Sequence, residues 1–125
     1  MKKEKEFSIV IRAKSFTHAF RGIYIFISAT HNAWIHFLIA SFALVAGFYF
    51  HIQSYEWLAI ILSIGLVLCA EAFNTAIEID IDLTSPQYHP FARDTKDVAA
   101  GAVLIASVIA IIVGLVIFLP KIFNT

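Results

Sequence analysis

The sequence predicts an all-α integral membrane protein, with an N-terminal surface helix followed by three transmembrane helices. Three observations predict it. The 125-residue chain is 60% apolar and only 14% charged, with a mean hydropathy of +0.83, whereas soluble domains run at about 45–50% apolar. The apolar residues gather into three runs, at 34–50, 57–79 and 98–119. The last run carries no charge, and at about 1.5 Å per residue it would rise about 33 Å, enough for a hydrocarbon core of ~30 Å. No soluble core of useful size is left over, so residues 1–125 read as a single membrane-embedded domain.

The elements follow in order. Over about residues 7–28, Ile9, Ala13, Phe16, Phe20, Ile23 and Ile27 keep helical spacing, and Arg12, Lys14, Ser15, His18 and Arg21 fill the rest of the surface. A basic amphipathic helix ahead of a span lies in the membrane interface. Its basic face is also suited to a lipid headgroup or a nucleotide phosphate. His31, Asn32, Trp34 and His36 mark the start of the first span, about 33–50. Trp is common at this level, and His36 reads as a satisfied or snorkelling histidine rather than a ligand. His51, Gln53, Ser54, Tyr55 and Glu56 make a short outer connection, too short to hold a site.

The second span covers about 57–80, and its helix should run to about Asp82. Pro86 and Pro90 with small polar neighbours predict a turn over 84–90. Arg93 to Asp97 leads into the third span, about 98–119. Gly101 and Gly114 there suit close helix approach, and Pro120 should end the helix. The single cysteine, Cys69, excludes an internal disulfide and reads as a small buried packing residue. No repeat or low-complexity segment is present.

Nine basic and nine acidic residues cancel, but their placement is uneven. Lys2, Lys3, Lys5, Arg12, Lys14 and Arg21 precede the first span, Arg93 and Lys96 lie in the second loop, and the first loop has no Lys or Arg. Only Lys121 follows the third span. The positive-inside rule places the N-terminus and the second loop on the cytoplasmic side of a multi-pass protein of the cell's inner membrane. No small-residue cleavage site follows the N-terminus, so the first span is expected to remain in the mature protein.

The chemistry sits where the second span should be ending. Glu71, Asn74, Glu78 and Asp82 fall along one helical stripe. A carboxylate at membrane depth is costly without a partner or a function. Near the apolar interior it can accept a proton from a hydroxyl, as a general base does. A second carboxylate nearer water can hold Mg²⁺ together with substrate phosphates. Lys96, across the loop, can meet phosphate charge. Such parts suit phosphoryl transfer to a lipid alcohol, and equally a cation pathway or an inter-helix polar clasp. No P-loop, protein-kinase motif, zinc-ligand spacing or serine nucleophile elbow is present.

The segments Ala70-Glu71-Ala72-Phe73-Asn74-Thr75-Ala76-Ile77-Glu78, Asp82, Tyr88-His89-Pro90 and Lys96-Asp97-Val98-Ala99-Ala100-Gly101-Ala102-Val103 resemble the prokaryotic diacylglycerol kinase family. The resemblance covers nearly the whole chain, and Asn74-Thr75-Ala76-Ile77-Glu78 with Asn32-x-x-x-His36 is nearer its undecaprenol kinase branch. It implies a homotrimer whose sites are shared between neighbouring subunits. It implies Glu71 as catalytic base toward the lipid hydroxyl, with Asn74 orienting that hydroxyl or the moving phosphoryl group. Glu78 would bind Mg²⁺ with the ATP phosphates. Lys96 and Asp97 would contact the nucleotide, Gln87, Tyr88 and His89 would line its pocket, and Arg12 would stand near a basic position of the surface helix.

One departure matters. The family's second metal-binding glutamate falls at Thr30 here, a poor and neutral ligand. His31 beside it does not suit Mg²⁺, which prefers oxygen. Asp80 could compensate only if its helix ended there. The expectation is therefore an ATP- and Mg²⁺-dependent kinase acting on a membrane lipid, undecaprenol before diacylglycerol, with no nucleic-acid partner. A disarmed relative that only binds lipid or nucleotide stands as the alternative, and an ion channel as a weaker one.

Overall fold

The computed structural model describes residues 7–30 and 32–124. The roles considered for Lys2, Lys3, Lys5 and His31 fall outside that range. The described residues form four helices and no strand: α1 (Ile9–Ala29), α2 (Ala33–Tyr49), α3 (Ser54–Thr84) and α4 (Pro90–Phe123).

Helix α1 is capped by Ser8, whose hydroxyl accepts from the Ile11 amide. It is bent by 101° from α2. None of its residues is buried, and only Ile25, Phe26 and Ile27 are half-buried. Its last turn therefore meets the bundle while the rest lies free of it, as a surface helix would. Helix α2 has 17 residues, about 25 Å, at the short end for a span. Helices α3 and α4 have 31 and 34 residues, about 46 and 51 Å. Both are apolar and long enough to cross a bilayer by themselves, and both extend past a ~30 Å core. That excess length carries the polar ends of α3 and α4 out toward water.

The turn between α2 and α3 is set by local chemistry. His51 takes φ 52°, and the Ile52 and His51 amides bond back to the Gly47 and Phe48 carbonyls. This is the Schellman close of a helix, with histidine where glycine is usual. Gly47 is needed for a different reason. A Cβ there would stand 2.6 Å from Trp57 Cη2, so α2 and α3 approach closely at this point. Gly101 and Gly114 have nothing within 4 Å of an added Cβ, so the close approach expected of them does not occur within the chain.

Helices α3 and α4 form the main body. The buried positions of α3 are Glu56, Ile60, Ser63, Val67, Glu71 and Thr75, one stripe at steps of three and four. Those of α4 are Ala99, Ala106 and Ile117, and the small residues let the helices approach. Ile52, Ile60 and Ile117 make the apolar core, with Phe50, Trp57 and Phe118 against it. An ion pair ties the two helices at each end. Lys121 Nζ lies 2.7 Å from Glu56 Oε1 at one end, and Lys96 Nζ lies 2.6 Å from Asp82 Oδ1 at the other. Glu56 also accepts from the Gln53 amide at 2.8 Å. Bonded by Lys121 and by that amide, its carboxyl is held below the usual carboxylate range.

Two local expectations are corrected. Pro120 does not end α4, which continues to Phe123. Proline removes one amide bond, and the following turn still closes with the Asn124 amide on the Pro120 carbonyl at 3.0 Å. Cys69 is exposed rather than buried, because it stands off the buried stripe of α3.

Candidate active site

The site is built on the C-terminal half of α3, and burial gives way to exposure along it. Glu71 is 5% exposed and Thr75 8%, Asn74 is half-buried, and Glu78 and Asp82 are exposed. The apolar stripe of α3 thus ends in a buried carboxylate. The helix then carries its polar groups outward, with Glu78 about 10 Å and Asp82 about 16 Å further along the axis than Glu71.

Helix α2 supplies the partner of Glu71. His36 Nε2 lies 2.6 Å from Glu71 Oε1, with side chains 21% and 7% exposed. Among the described residues, no lysine or arginine forms an ion pair with Glu71. The Thr75 hydroxyl donates to the Glu71 backbone carbonyl at 3.0 Å. Thr30, the residue that caps α1, brings its Oγ1 to 2.9 Å from Thr75 Oγ1. Thr30 therefore faces the site, beside the step from Glu71 to Glu78, where the resemblance places a glutamate. Asp80 cannot stand in. Helix α3 runs on to Thr84, and the Asp80 carbonyl accepts from the Thr84 hydroxyl within the unbroken helix.

Asn74 Nδ2 donates to Glu78 Oε1 at 3.2 Å. Asn74 Oδ1 is buried and meets no donor among the described residues. A buried, unpaired amide oxygen beside a carboxylate is an oxygen-only donor set. Mg²⁺ takes such donors, one or two carboxylates at a time, completing its shell with water and substrate phosphates. The residues present fit that ion in its nucleotide-bound form. No cluster of three His, Cys, Asp or Glu side chains occurs among the described residues.

Beyond Glu78 opens a polar cleft of about 370 Å³ lined by Asp82, Gln87, Tyr88, His89, Arg93, Lys96 and Asp97 among others. Its wall is the predicted turn, which resolves to Ser85 through His89 between the two helices. His89 caps α4, its Nδ1 accepting from the Phe91 amide at 3.2 Å, with Pro90 at the first helical position. The hydrogen bond from Lys96 to Asp82 raises the lysine's proton affinity above the ordinary lysine range, and Glu78 adds to it.

Arg93 lies 3.8 Å from Asp97, one turn apart. Asp97 stands about two turns inside α4 rather than ahead of it. The helix begins at Pro90 and has no acid in its first turn. Arg12 stands apart, its guanidinium 5.1 Å from the Phe7 ring centre, and among the described residues it makes no ion pair with the other candidates. The sequence reading of His36 as a satisfied or snorkelling histidine gave it no part in the site, whereas it meets Glu71. The available signal was an ionisable side chain on the apolar run that precedes the stripe.

Fold and site together define a small helical membrane protein in which a buried carboxylate leads, along one helix, to a cleft that holds Arg93 and Lys96. The chain matches the family model described as prokaryotic diacylglycerol kinase over residues 17–118. It is 44% identical to the undecaprenol kinase of Bacillus subtilis over 108 residues, covering 86% of this chain and 88% of that protein. It is 35% identical to a diacylglycerol kinase of Synechocystis over 111 residues, 88% of this chain and 63% of that protein. A diacylglycerol kinase of Helicobacter pylori is 30% identical over 107 residues, 80% of this chain and 84% of that protein. No solved structure matches the chain. The chain belongs to the prokaryotic diacylglycerol kinase family and is an ATP-dependent lipid kinase.

Proposed function

We propose that the protein transfers the γ-phosphoryl group of MgATP to the hydroxyl of undecaprenol, at the cytoplasmic face of the inner membrane. The observation that carries this reading is the order of groups on α3, from buried Glu71 through Asn74 and Glu78 to the Lys96 cleft. The greater identity to an undecaprenol kinase than to the diacylglycerol kinases supports the choice of lipid. The whole chain, residues 1–125, acts as one domain, and it works as a homotrimer with sites shared between subunits.

The lipid hydroxyl approaches Glu71 from the membrane. Glu71 takes its proton as the hydroxyl oxygen bonds to the γ-phosphorus and the bond from that phosphorus to the β-phosphate oxygen breaks, in line. Asn74 orients the reacting groups. Glu78, with Asn74 Oδ1 beside it, would hold the Mg²⁺ that neutralises phosphate charge when bound. Lys96 exchanges Asp82 for phosphate oxygens. Asp97 contacts the nucleotide, Gln87, Tyr88 and His89 form the walls of its pocket, and Arg12 serves the phosphates from the surface helix. Positioning and charge do most of the work, since this chemistry asks little else of the protein.

A second reading has a specific observation behind it. Thr30 meets Thr75 by a neutral contact, so the site has one carboxylate for metal where the family pattern has two. Turnover would then be weak, or the protein would bind without turnover. The test is transfer of labelled γ-phosphate by purified protein in mixed micelles, offering undecaprenol and diacylglycerol separately. Label in undecaprenol, falling by roughly 10²–10⁴-fold in Glu71→Gln, supports the proposal. Label in diacylglycerol alone would change the substrate. No label in either lipid, with nucleotide still bound, would leave the binding protein.

A further inference from the structure

We infer that His36 is a positioning residue for Glu71, holding one carboxylate oxygen so that the other faces the lipid hydroxyl. The inference rests on Glu71 as the base. The contact is 2.6 Å, from Nε2 of one side chain to Oε1 of the other, and it joins two helices. Among the described residues no lysine or arginine competes for the Glu71 carboxylate. The Thr75 hydroxyl, the next polar group along the stripe, turns to the Glu71 backbone and to Thr30 instead.

His36 also stands at a boundary. It lines an apolar groove of about 490 Å³ that runs between α2, α3 and α4, and among the described residues it is the one ionisable side chain on that surface. On its other side it meets Glu71. A chain lying in or near such apolar surface would bring its hydroxyl to the polar end, where His36 and Glu71 sit.

The physical argument is geometric. A glutamate carboxylate on a helix turns about several side-chain bonds. An imidazole N–H on Oε1 removes that freedom. The bonded oxygen is occupied, so proton acceptance falls to Oε2. Histidine suits the task because its ring is rigid and its reach from α2 is fixed by the backbone. A lysine would bring a full, mobile charge to the same apolar surface.

The test uses the full chain in mixed micelles with MgATP and undecaprenol. His36→Ala, His36→Gln, Glu71→Gln and the His36→Ala/Glu71→Gln pair are compared. His36→Ala is expected to lower kcat by roughly 10–100-fold, the size of a misplaced reacting group, with KM for MgATP unchanged. His36→Gln, whose amide can donate in place of the ring, should recover most of the loss. The double variant should be no slower than Glu71→Gln alone. Ring-¹⁵N spectra of the unsubstituted protein should find the His36 proton on Nε2, with a shift in Glu71→Gln.

A wild-type kcat in His36→Ala overturns the inference, as does a fall in kcat that His36→Gln does not relieve. A double variant slower than Glu71→Gln does the same, and so does a ring protonated on Nδ1 or blind to Glu71→Gln. The spectrum decides even where turnover is too slow to measure or His36→Ala does not fold. If Glu71→Gln itself keeps full activity, the proposed role of Glu71 falls. If Glu71→Gln is inactive and His36→Ala is not, only the role of His36 falls.

Discussion

Thr30→Glu should convert a neutral contact into a second metal-facing carboxylate. In the structure Thr30 Oγ1 meets Thr75 Oγ1 at 2.9 Å. The substitution removes one hydrogen bond between neutral groups, about 1 kcal/mol. Thr75 keeps its bond to the Glu71 carbonyl, so no buried hydroxyl is orphaned. The new carboxylate adds negative charge near Glu71 and Glu78, and like charges repel. Without Mg²⁺ the variant should therefore unfold at a lower temperature than the unsubstituted protein. With MgATP the sign reverses. A charged hydrogen bond or metal contact contributes about 1.5–3 kcal/mol, which at 1.4 kcal/mol per tenfold is roughly 10–100-fold in KM for MgATP. The assays are lipid phosphorylation against MgATP concentration and thermal unfolding in detergent with and without Mg²⁺. The expected result is a lower KM and a larger Mg²⁺-induced rise in unfolding temperature. An unchanged KM in a folded variant, with no added response to Mg²⁺, would refute the placement of Thr30 at the metal-facing side of the site.

Other predictions concern the frame and the cleft. Gly47→Ala places a Cβ 2.6 and 3.0 Å from two Trp57 ring atoms and 3.1 Å from Ile52 Cδ1. Trp57 is itself packed against Phe48, ring centres 4.8 Å apart and tilted by 54°, so the variant should lose about 1–3 kcal/mol in thermal or denaturant unfolding. Gly114→Ala meets nothing within 4 Å and should keep its stability or gain up to about 1 kcal/mol; a loss there would reveal a neighbouring subunit against that face. The Glu56–Lys121 pair should show in acid. The Glu56 carboxyl is held below its ordinary value, so its contribution is present above about pH 4.5 and fades as pH falls through the lower, folded value. Glu56→Gln should remove that part of the acid sensitivity, measured as unfolding temperature from pH 7 to 3. Lys96 has the opposite sign: its proton is held above the ordinary range, so its pairing with Asp82 persists to above about pH 10.5. Lys96→Met should raise KM for MgATP roughly 10–100-fold, and a smaller change would place the lysine outside the phosphate site.

Much of this molecule is readable along the chain, because helices report themselves through local period. The three apolar runs, the amphipathic start, the turn around Pro86 and Pro90 and the phase of Glu71, Asn74, Glu78 and Asp82 all follow from spacing within a few residues. Family resemblance then attaches roles to those positions. Helix ends were less legible where a single residue was asked to decide. Pro120 costs one amide bond and does not stop α4. Arg93 to Asp97 read as a lead into the third span, yet Pro90 already begins the helix. Burial of Cys69 depends on which face of α3 meets its neighbours, which one helix cannot state about itself.

By itself, then, the sequence determined the class of protein, the helices and the side chains available to the site, since each depends on composition or on short-range periodicity. Tertiary structure alone decided the pairings. His36 meets Glu71, Thr30 meets Thr75 across 45 residues, Lys96 meets Asp82 across 14, and Lys121 meets Glu56 across 65. These contacts depend on the rotation and offset with which whole helices pack, and that register is settled by side chains touching from distant parts of the chain.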